Sequence, residues 1–450
     1  MAVSPLSDTF VVQLRSALAY TALFAGVFSA LPAAGPAGAV AVCVAVALGW
    51  RDLNPVSRVI CLLVVIAGLA ALITEPGALP GAATNMTRLS ALLITVMLLS
   101  SILGRSRDLA SISRSLFLGR PLARYFSVAF GTTFVAIPLN FGSVGVVASM
   151  IRSEIDHNGD SAMTRNAARA VLRGFGASPI CSPLSVSVVI TLTFLPVLQA
   201  WQLIAVSLPL AVCYLLCSSL FREQELAAVH EAADAPESRG QRLLPWLRFA
   251  AIIGGICVAT FTLSGLAGQS YSRAVILSCL GAVILGLMLR RWQGEPLAIP
   301  SMAPMSNELV IMGGSAFLGA IISHFALVLM GGAVSLPDWA YPVVALMVPF
   351  VFFLGGMGGL NPIVIGSLTG GVLSPIWPET AALGLAIAMV SGWGLTTAGT
   401  PFSANSLLLA RLTGYSARVA ARRWNLTLSL TFLAGSGLLA AMLTVILAGQ

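Results

Sequence analysis

Two stretches of this chain carry residue types that an ordinary membrane helix does not need. Residues 174–187 read GFGASPICSPLSVS, and residues 392–405 read GWGLTTAGTPFSAN. Proline and glycine release main-chain N–H and C=O groups from helical pairing, and small polar side chains beside them can share whatever those groups bind. The chemistry on offer is non-covalent. Amides at a helix start attract an anion, while carbonyls and hydroxyls can replace the water around a sodium ion. The first stretch offers Ser178, Ser182, Ser185 and Ser187; the second offers Thr396, Thr397, Thr400, Ser403 and Asn405. A shift of 218 residues aligns Gly174 with Gly392, Gly176 with Gly394, Pro183 with Pro401 and Ser185 with Ser403.

An interruption precedes each of these stretches. Residues 125–150 are apolar but broken at Pro138, Asn140, Gly142, Ser143 and Gly145, and residues 341–372 are broken at Gly358, Gly359, Asn361 and Pro362. Breakers at the centre of an apolar run predict a helical hairpin that enters the membrane and returns. Asn140, Gly142 and Ser143 would sit at one tip and Asn361 at the other. The Leu-Asn pair at 139–140 recurs at 360–361, an offset of 221, and Met86 against Met305 gives 219. Three segments in one order at nearly one spacing predict an internal repeat. At each serine a plainer reading competes: the hydroxyl satisfies main chain freed by proline, or lets two helices pack closely. Asn140 and Asn361 fit that reading less well, because an amide is costly in lipid.

Absences narrow the chemistry. None of the 16 acidic residues falls mid-span, and His324 is the only candidate proton carrier, so sodium coupling is expected over proton coupling. No histidine–carboxylate cluster has the spacing of an acid–base pair or a metal site, so neither catalysis nor an organic cofactor is expected. The seven cysteines (Cys43, Cys61, Cys181, Cys213, Cys217, Cys257, Cys279) all lie in apolar segments and read as small core residues. A channel would need a continuous pore, whereas two opposed hairpins predict a site closed from one side at a time.

The elements that hold these residues follow from composition. Of 450 residues, 58% are hydrophobic and 9% charged, which predicts an all-α polytopic membrane protein. Residues 1–34 hold an extra span. Residues 35–221 form a first repeat with its hairpin at 125–150 and a broken span at 166–197, and 222–245 form a cytoplasmic linker. Residues 246–450 form a second repeat with its hairpin at 341–372 and a broken span at 381–407. Residues 104–124, with Arg105, Arg107, Arg114, Arg120 and Arg124 among leucine and phenylalanine, predict an amphipathic helix along the membrane surface. The net charge of +8 comes entirely from arginine, which sets topology. Eleven spans and two hairpins, with the N-terminus cytoplasmic and the C-terminus outside, leave only Arg88 and Arg273 of the 24 arginines on the outer side. Five full spans per repeat, an odd number, set the halves upside down relative to each other, an arrangement typical of secondary transporters.

In this order of spans and breaks, and in Pro-Leu-Ser-Val-Ser at 183–187 mirrored by Pro-Phe-Ser-Ala-Asn at 401–405, the chain resembles the ion transporter superfamily. That superfamily includes divalent-anion/sodium symporters, arsenite and sodium/proton carriers, and the large membrane subunit of TRAP transporters, and the resemblance covers essentially the whole chain. It implies a homodimer in a bacterial-type inner membrane. A scaffold would hold the dimer while a transport domain of hairpins and broken spans slides as an elevator, moving a small organic anion, a carboxylate, with Na+. The divalent-anion symporters carry Ser-Asn-Thr at both hairpin tips, where this chain has Asn140-Phe141-Gly142-Ser143 and Asn361-Pro362-Ile363-Val364. A TRAP-type subunit would need a small membrane partner and a periplasmic binding protein. An inorganic-ion or sodium/proton carrier is a further alternative within the fold.

Overall fold

The computed structural model describes residues 5–104, 106–225, 239–294, 299–329 and 336–449. Arg105 and residues 226–238 of the expected linker lie outside the described residues. Among those described there is helix and no strand. The chain runs through α1 (Pro5–Val27), α2 (Ala34–Leu48), α3 (Pro55–Thr74), α4 (Ala78–Leu103), α5 (Arg107–Ser115), α6 (Pro121–Leu139), α7 (Phe141–Asn158), α8 (Ala162–Cys181), α9 (Val186–Phe194) and α10 (Ala200–Ser218). It continues through α11 (Arg239–Gly265), α12 (Tyr271–Trp292), α13 (Ser306–Leu309), α14 (Ser315–Leu329), α15 (Ala340–Met357), α16 (Pro362–Leu373), α17 (Ala382–Gly399), α18 (Ala404–Thr413), α19 (Ala417–Val419) and α20 (Leu426–Ala448). Wide π turns at Val310–Gly314 and Ala420–Asn425 join α13 to α14 and α19 to α20.

Local chemistry sets the helix starts. Asn54 accepts a hydrogen bond from Ser57 N ahead of α3, whose first residue is Pro55, and Ser106, Ser161, Ser185 and Ser403 cap α5, α8, α9 and α18 in the same way. Twelve helical stretches are long and apolar enough to cross a membrane. The chain is a multi-pass membrane protein. Two of the twelve, α6 and α15, are first arms of the expected hairpins and end at Asn140 and Gly358. Pro138 falls in the last turn of α6, and Pro349 is carried inside α15 without ending it.

The chain divides into two compact units. Unit one comprises residues 1–99, 259–335 and 363–377; unit two comprises 100–258, 336–362 and 378–450. Each draws on both halves of the sequence. α6, α7 and α15 belong to unit two, and α16 from residue 363 onward belongs to unit one. The division follows packing: Gly392 of α17 accommodates Pro349 and Phe352 of α15, whereas Gly371 of α16 lies on the backbone of Gly319 in α14.

In unit one the last turn of α1 and the start of α2 pack on α4, where Gly26 faces Ala91 and Gly38 faces Thr87. Arg15 is buried and ties α1 to Asp52 (2.7 Å), to Ala303 O (2.6 Å) and to Ser306 Oγ (3.0 Å). In unit two, α5 is amphipathic as expected, and its apolar face packs on neighbouring helices. Leu109, Ile112 and Leu116 are buried, Gly131 of α6 takes the Leu116 side chain, and Trp246 Nε1 donates to Ser115 Oγ (3.2 Å). Its apolar face is core because neighbouring helices offer it apolar cover.

Candidate functional site

Unit two is organised on one helix crossing. A Cβ on Gly176 of α8 would meet Ala398 Cβ at 2.5 Å and Gly394 O at 2.9 Å, and a Cβ on Gly394 of α17 would run into Gly176 O and Ile180. The pairs 176–398 and 180–394 count in opposite directions, so α8 and α17 are antiparallel. The flanking glycines match as well: Gly174 receives Ala129 and Thr132 of α6, and Gly392 receives Pro349 and Phe352 of α15. Residues aligned by the 218-residue offset therefore occupy equivalent places, the inner pair against each other and the outer pair each against the helix that precedes its own interruption.

Beyond the crossing both helices break. α8 ends at Cys181 and α9 begins at Val186; α17 ends at Gly399 and α18 begins at Ala404. In the antiparallel register Ser182 and Thr400 are separated by eight residues of helix, about 12 Å along the axis. Most hydroxyls at the breaks are spent on main chain. Ser182 Oγ accepts from Leu184 N (3.3 Å), Ser185 Oγ accepts from Val188 N (3.3 Å) and meets Ser187 Oγ (2.9 Å), and Ser187 Oγ donates to Pro179 O. Thr396, Thr397 and Thr400 donate to Gly392 O (2.7 Å), Gly394 O (2.8 Å) and Thr396 O (2.8 Å), and Ser403 Oγ caps α18 through Ser406 N (3.2 Å). Ser178, inside α8, is buried, and its carbonyl accepts from Ser182 N.

The first hairpin turns on a single residue. Asn140 has φ +48°, the one non-glycine with positive φ among the described residues, and its carbonyl accepts from Ser143 N (3.1 Å) and Ser143 Oγ (2.8 Å). Ser100 Oγ holds the preceding carbonyl of Leu139 (3.1 Å). α6 runs parallel to α8: Thr133 Oγ1 donates to Gly174 O (2.8 Å), and near the start of both helices Arg124 and Asn166 share Glu225. Carrying that register forward sets Asn140 level with Ser182.

α7 then runs back alongside α18. Gly145 faces Leu408, Gly414 faces Arg152, and Tyr415 OH donates to Asp160 Oδ1 (2.6 Å), so the two helices are parallel. Three residues back from the Gly145–Leu408 contact, the N-terminal turn of α7 with Gly142 and Ser143 lies beside that of α18 with Asn405 and Ser406. The end of α15 meets the same break: Gly356 packs on Thr396 and Thr400, and Gly359, two residues before Asn361, faces Phe402.

Asn405 stands apart from the other candidates. It is 1% exposed, and neither its Nδ2 nor its Oδ1 has a hydrogen-bond partner, the only buried side-chain amide among the described residues with both ends unmatched. Leaving a buried polar group unsatisfied costs about 1–3 kcal/mol. Two parallel helix starts, each with the positive end of its dipole toward the break, and an amide able to donate and accept form a site suited to a small anion and its counter-ion.

No protein family and no curated protein matches this chain. Among solved structures it is similar to one reported as "Crystal structure of the Alcanivorax borkumensis YdaH transporter reveals an unusual topology", with 19% sequence identity, coverage of 83% of this chain and 88% of that one, and a TM-score of 0.49.

Sequence reasoning missed the polar framework below this site. α8 starts at Ala162, and Arg173 within it is 0% exposed. Its guanidinium donates to Asn425 Oδ1 (2.9 Å), Tyr125 OH (2.8 Å), Ser218 O (2.8 Å), Phe221 O (3.3 Å) and Trp424 O (2.7 Å), joining α6, α8, the end of α10 and the π turn before α20. The charge is met entirely by neutral acceptors, several at helix C-terminal ends where cations are favoured. Asn425 Nδ2 in turn donates to Ala398 O (2.9 Å) at the glycine crossing. Toward the start of α8, Arg165 bridges Asp160 (2.7 Å) and Glu223 (2.8 Å), and Arg169 binds Glu223 (2.6 Å) and lies over the Trp424 ring. Burial pushes the carboxyls of Asp160 and Glu223 up. The hydrogen bonds from Tyr415 and Arg165 to Asp160, and from Arg165 and Arg169 to Glu223, outweigh burial and hold both below their ordinary values.

Proposed function

We propose that the chain is a secondary active transporter of a small organic anion, a carboxylate, coupled to sodium and working by an elevator movement of two inverted repeats. The observation that carries the reading is Asn405, buried and unmatched at both ends beside two parallel helix starts, since an orphaned amide at an anion-favouring position calls for a ligand. Helix starts would hold the carboxylate by main-chain amides, with no arginine at the breaks. The carbonyl ends of α8 and α17 and the hydroxyls that cap them offer oxygen ligands of the kind sodium takes. Matching positions for Gly174 with Gly392 and for Gly176 with Gly394 across an antiparallel crossing support the inverted repeat.

The test is uptake of a panel of labelled small mono- and dicarboxylates into proteoliposomes under an inward sodium gradient. We expect accumulation of at least one, dependent on sodium, and a loss of at least tenfold in Asn405→Leu with no fall in its melting temperature. Wild-type uptake in Asn405→Leu, or no accumulation of any carboxylate, overturns the reading.

A further inference from the structure

At the start of α8, remote from its break, unit two has a cavity of about 430 Å³, walled by the first half of α8, the segment after α10, the loop after α18 and the π turn that leads into α20. Three guanidinia line it, from Arg165, Arg169 and Arg423, against two carboxylates, Asp160 and Glu223. Both carboxylates are already matched. Asp160 accepts from Arg165 (2.7 Å) and Tyr415 (2.6 Å), and Glu223 accepts from Arg165 (2.8 Å) and Arg169 (2.6 Å). The cations are not. The Arg169 side chain is 8% exposed and lies 5.0 Å from the centroid of the Trp424 ring, and its buried Nε has no hydrogen-bond partner. Arg423 has neither a hydrogen bond nor an ion pair among the described residues. A buried donor without an acceptor is costly, and here it lines a space large enough to admit one. The surroundings add positive charge only: residues 411–424 hold Arg411, Arg418, Arg422 and Arg423 and no carboxylate. Guanidinia suit the oxygens of a phosphate group, which can take several donors at once. Directly beyond the π turn, α20 carries exposed apolar side chains on one face, Leu430, Leu438, Met442 and Val445, where acyl chains can lie.

We propose that this cavity binds a phosphate-type oxyanion, with the headgroup of an anionic phospholipid favoured by the apolar face of α20 and free phosphate as the other source of the same chemistry. Arg423 and the unmatched Nε of Arg169 supply the donors, while Arg165 stays with its two carboxylates. The ligand fastens the π turn and the start of α20 to α8. The site does not rest on the transport reading, and none of its residues belongs to the breaks or the hairpin tips.

The experiment is thermal unfolding of the purified full chain in an uncharged glycoside detergent, comparing phosphatidylglycerol with phosphatidylcholine, and inorganic phosphate with chloride at equal ionic strength. Wild type should melt several degrees higher with phosphatidylglycerol, with phosphate, or with both, since a ligand bound only to the folded state stabilises it. A shift with lipid alone identifies a headgroup, and a shift with phosphate alone identifies a free anion. Arg423→Gln should lose most of the shift, about a tenfold fall in apparent affinity, while Arg423→Lys keeps part of it. Without additions Arg423→Gln should melt with wild type, because the side chain it removes has no partner in the chain. Arg411→Gln, an exposed arginine nearby that does not line the cavity, should keep the full shift. The proposal is overturned if neither addition shifts wild type, if the shift survives in Arg423→Gln, if Arg411→Gln loses as much of it, which would mark diffuse attraction to a basic surface, or if Arg423→Gln without additions already melts several degrees low, which would mark a purely structural role.

Discussion

Asn140 turns the first hairpin in a region of backbone space that side chains avoid, at φ +48°. Glycine adopts that conformation without cost, so Asn140→Gly should melt at or above wild type, while Asn140→Leu should lose about 1–3 kcal/mol. If the amide also serves the ligand, uptake falls in both variants; if only the turn matters, Asn140→Gly transports normally. Gly176 and Gly394 make a sharper case, because an added methyl on either meets backbone. Gly176→Ala should cost about 1–3 kcal/mol by overpacking, whereas Gly281→Ala, with nothing within 4 Å of the added atom, should be neutral or stabilising in the same melting assay. At this scale the sequence was informative where chemistry is scarce. An asparagine in an apolar run is conspicuous, and Asn405 proved to be the orphaned one. The serines and threonines were ambiguous for a physical reason: a hydroxyl that repairs main chain beside a proline and one that binds an ion have the same letter and the same neighbours. Arg173 was illegible, since nothing in a run of arginines tells which one folds inward onto carbonyls from three other elements.

Among the elements, the loop after α18 is tied down by a single phenol. Tyr415 OH donates to Asp160 (2.6 Å) and meets Thr164 Oγ1 (2.8 Å) at the start of α8. Tyr415→Phe should cost about 1 kcal/mol and raise amide hydrogen exchange along α18, with less change in α17. The same network sets an acid limit. Asp160 and Glu223 bind protons less readily in the folded chain than in the unfolded one, so their contribution is complete at neutral pH and drains away as pH falls from about 4.5 downward. Melting temperature should therefore drop over that range, and less steeply in Glu223→Gln. Element type was readable throughout, because apolar length and capping residues act locally. Element surroundings were not. The charge pattern of 104–124 was right for a helix with one apolar face, but whether lipid or protein covers that face depends on helices far away in sequence.

For the molecule as a whole, a 218-residue offset was visible in the sequence but the compact units were not. An offset such as 218 is a pattern of residue types along the chain, whereas contact follows apolar faces and glycine clefts, and here Gly176 and Gly394 bring the two offset-related segments into one body. Topology should be checked with single cysteines in a cysteine-free background, labelled on whole cells with an impermeant maleimide. Gly77→Cys should label directly, and Asp160→Cys only after the membrane is opened. Labelling of both from one side would reverse or redraw the arrangement.

The glycine crossing also limits how the candidate site can be rearranged. If α8 slid along α17 by one turn, a residue with a side chain would arrive where only bare backbone fits, so the joint behaves like a pinned pair of shears, free to pivot a little and unable to slip. Under the proposed transport reading, both broken helices move at once.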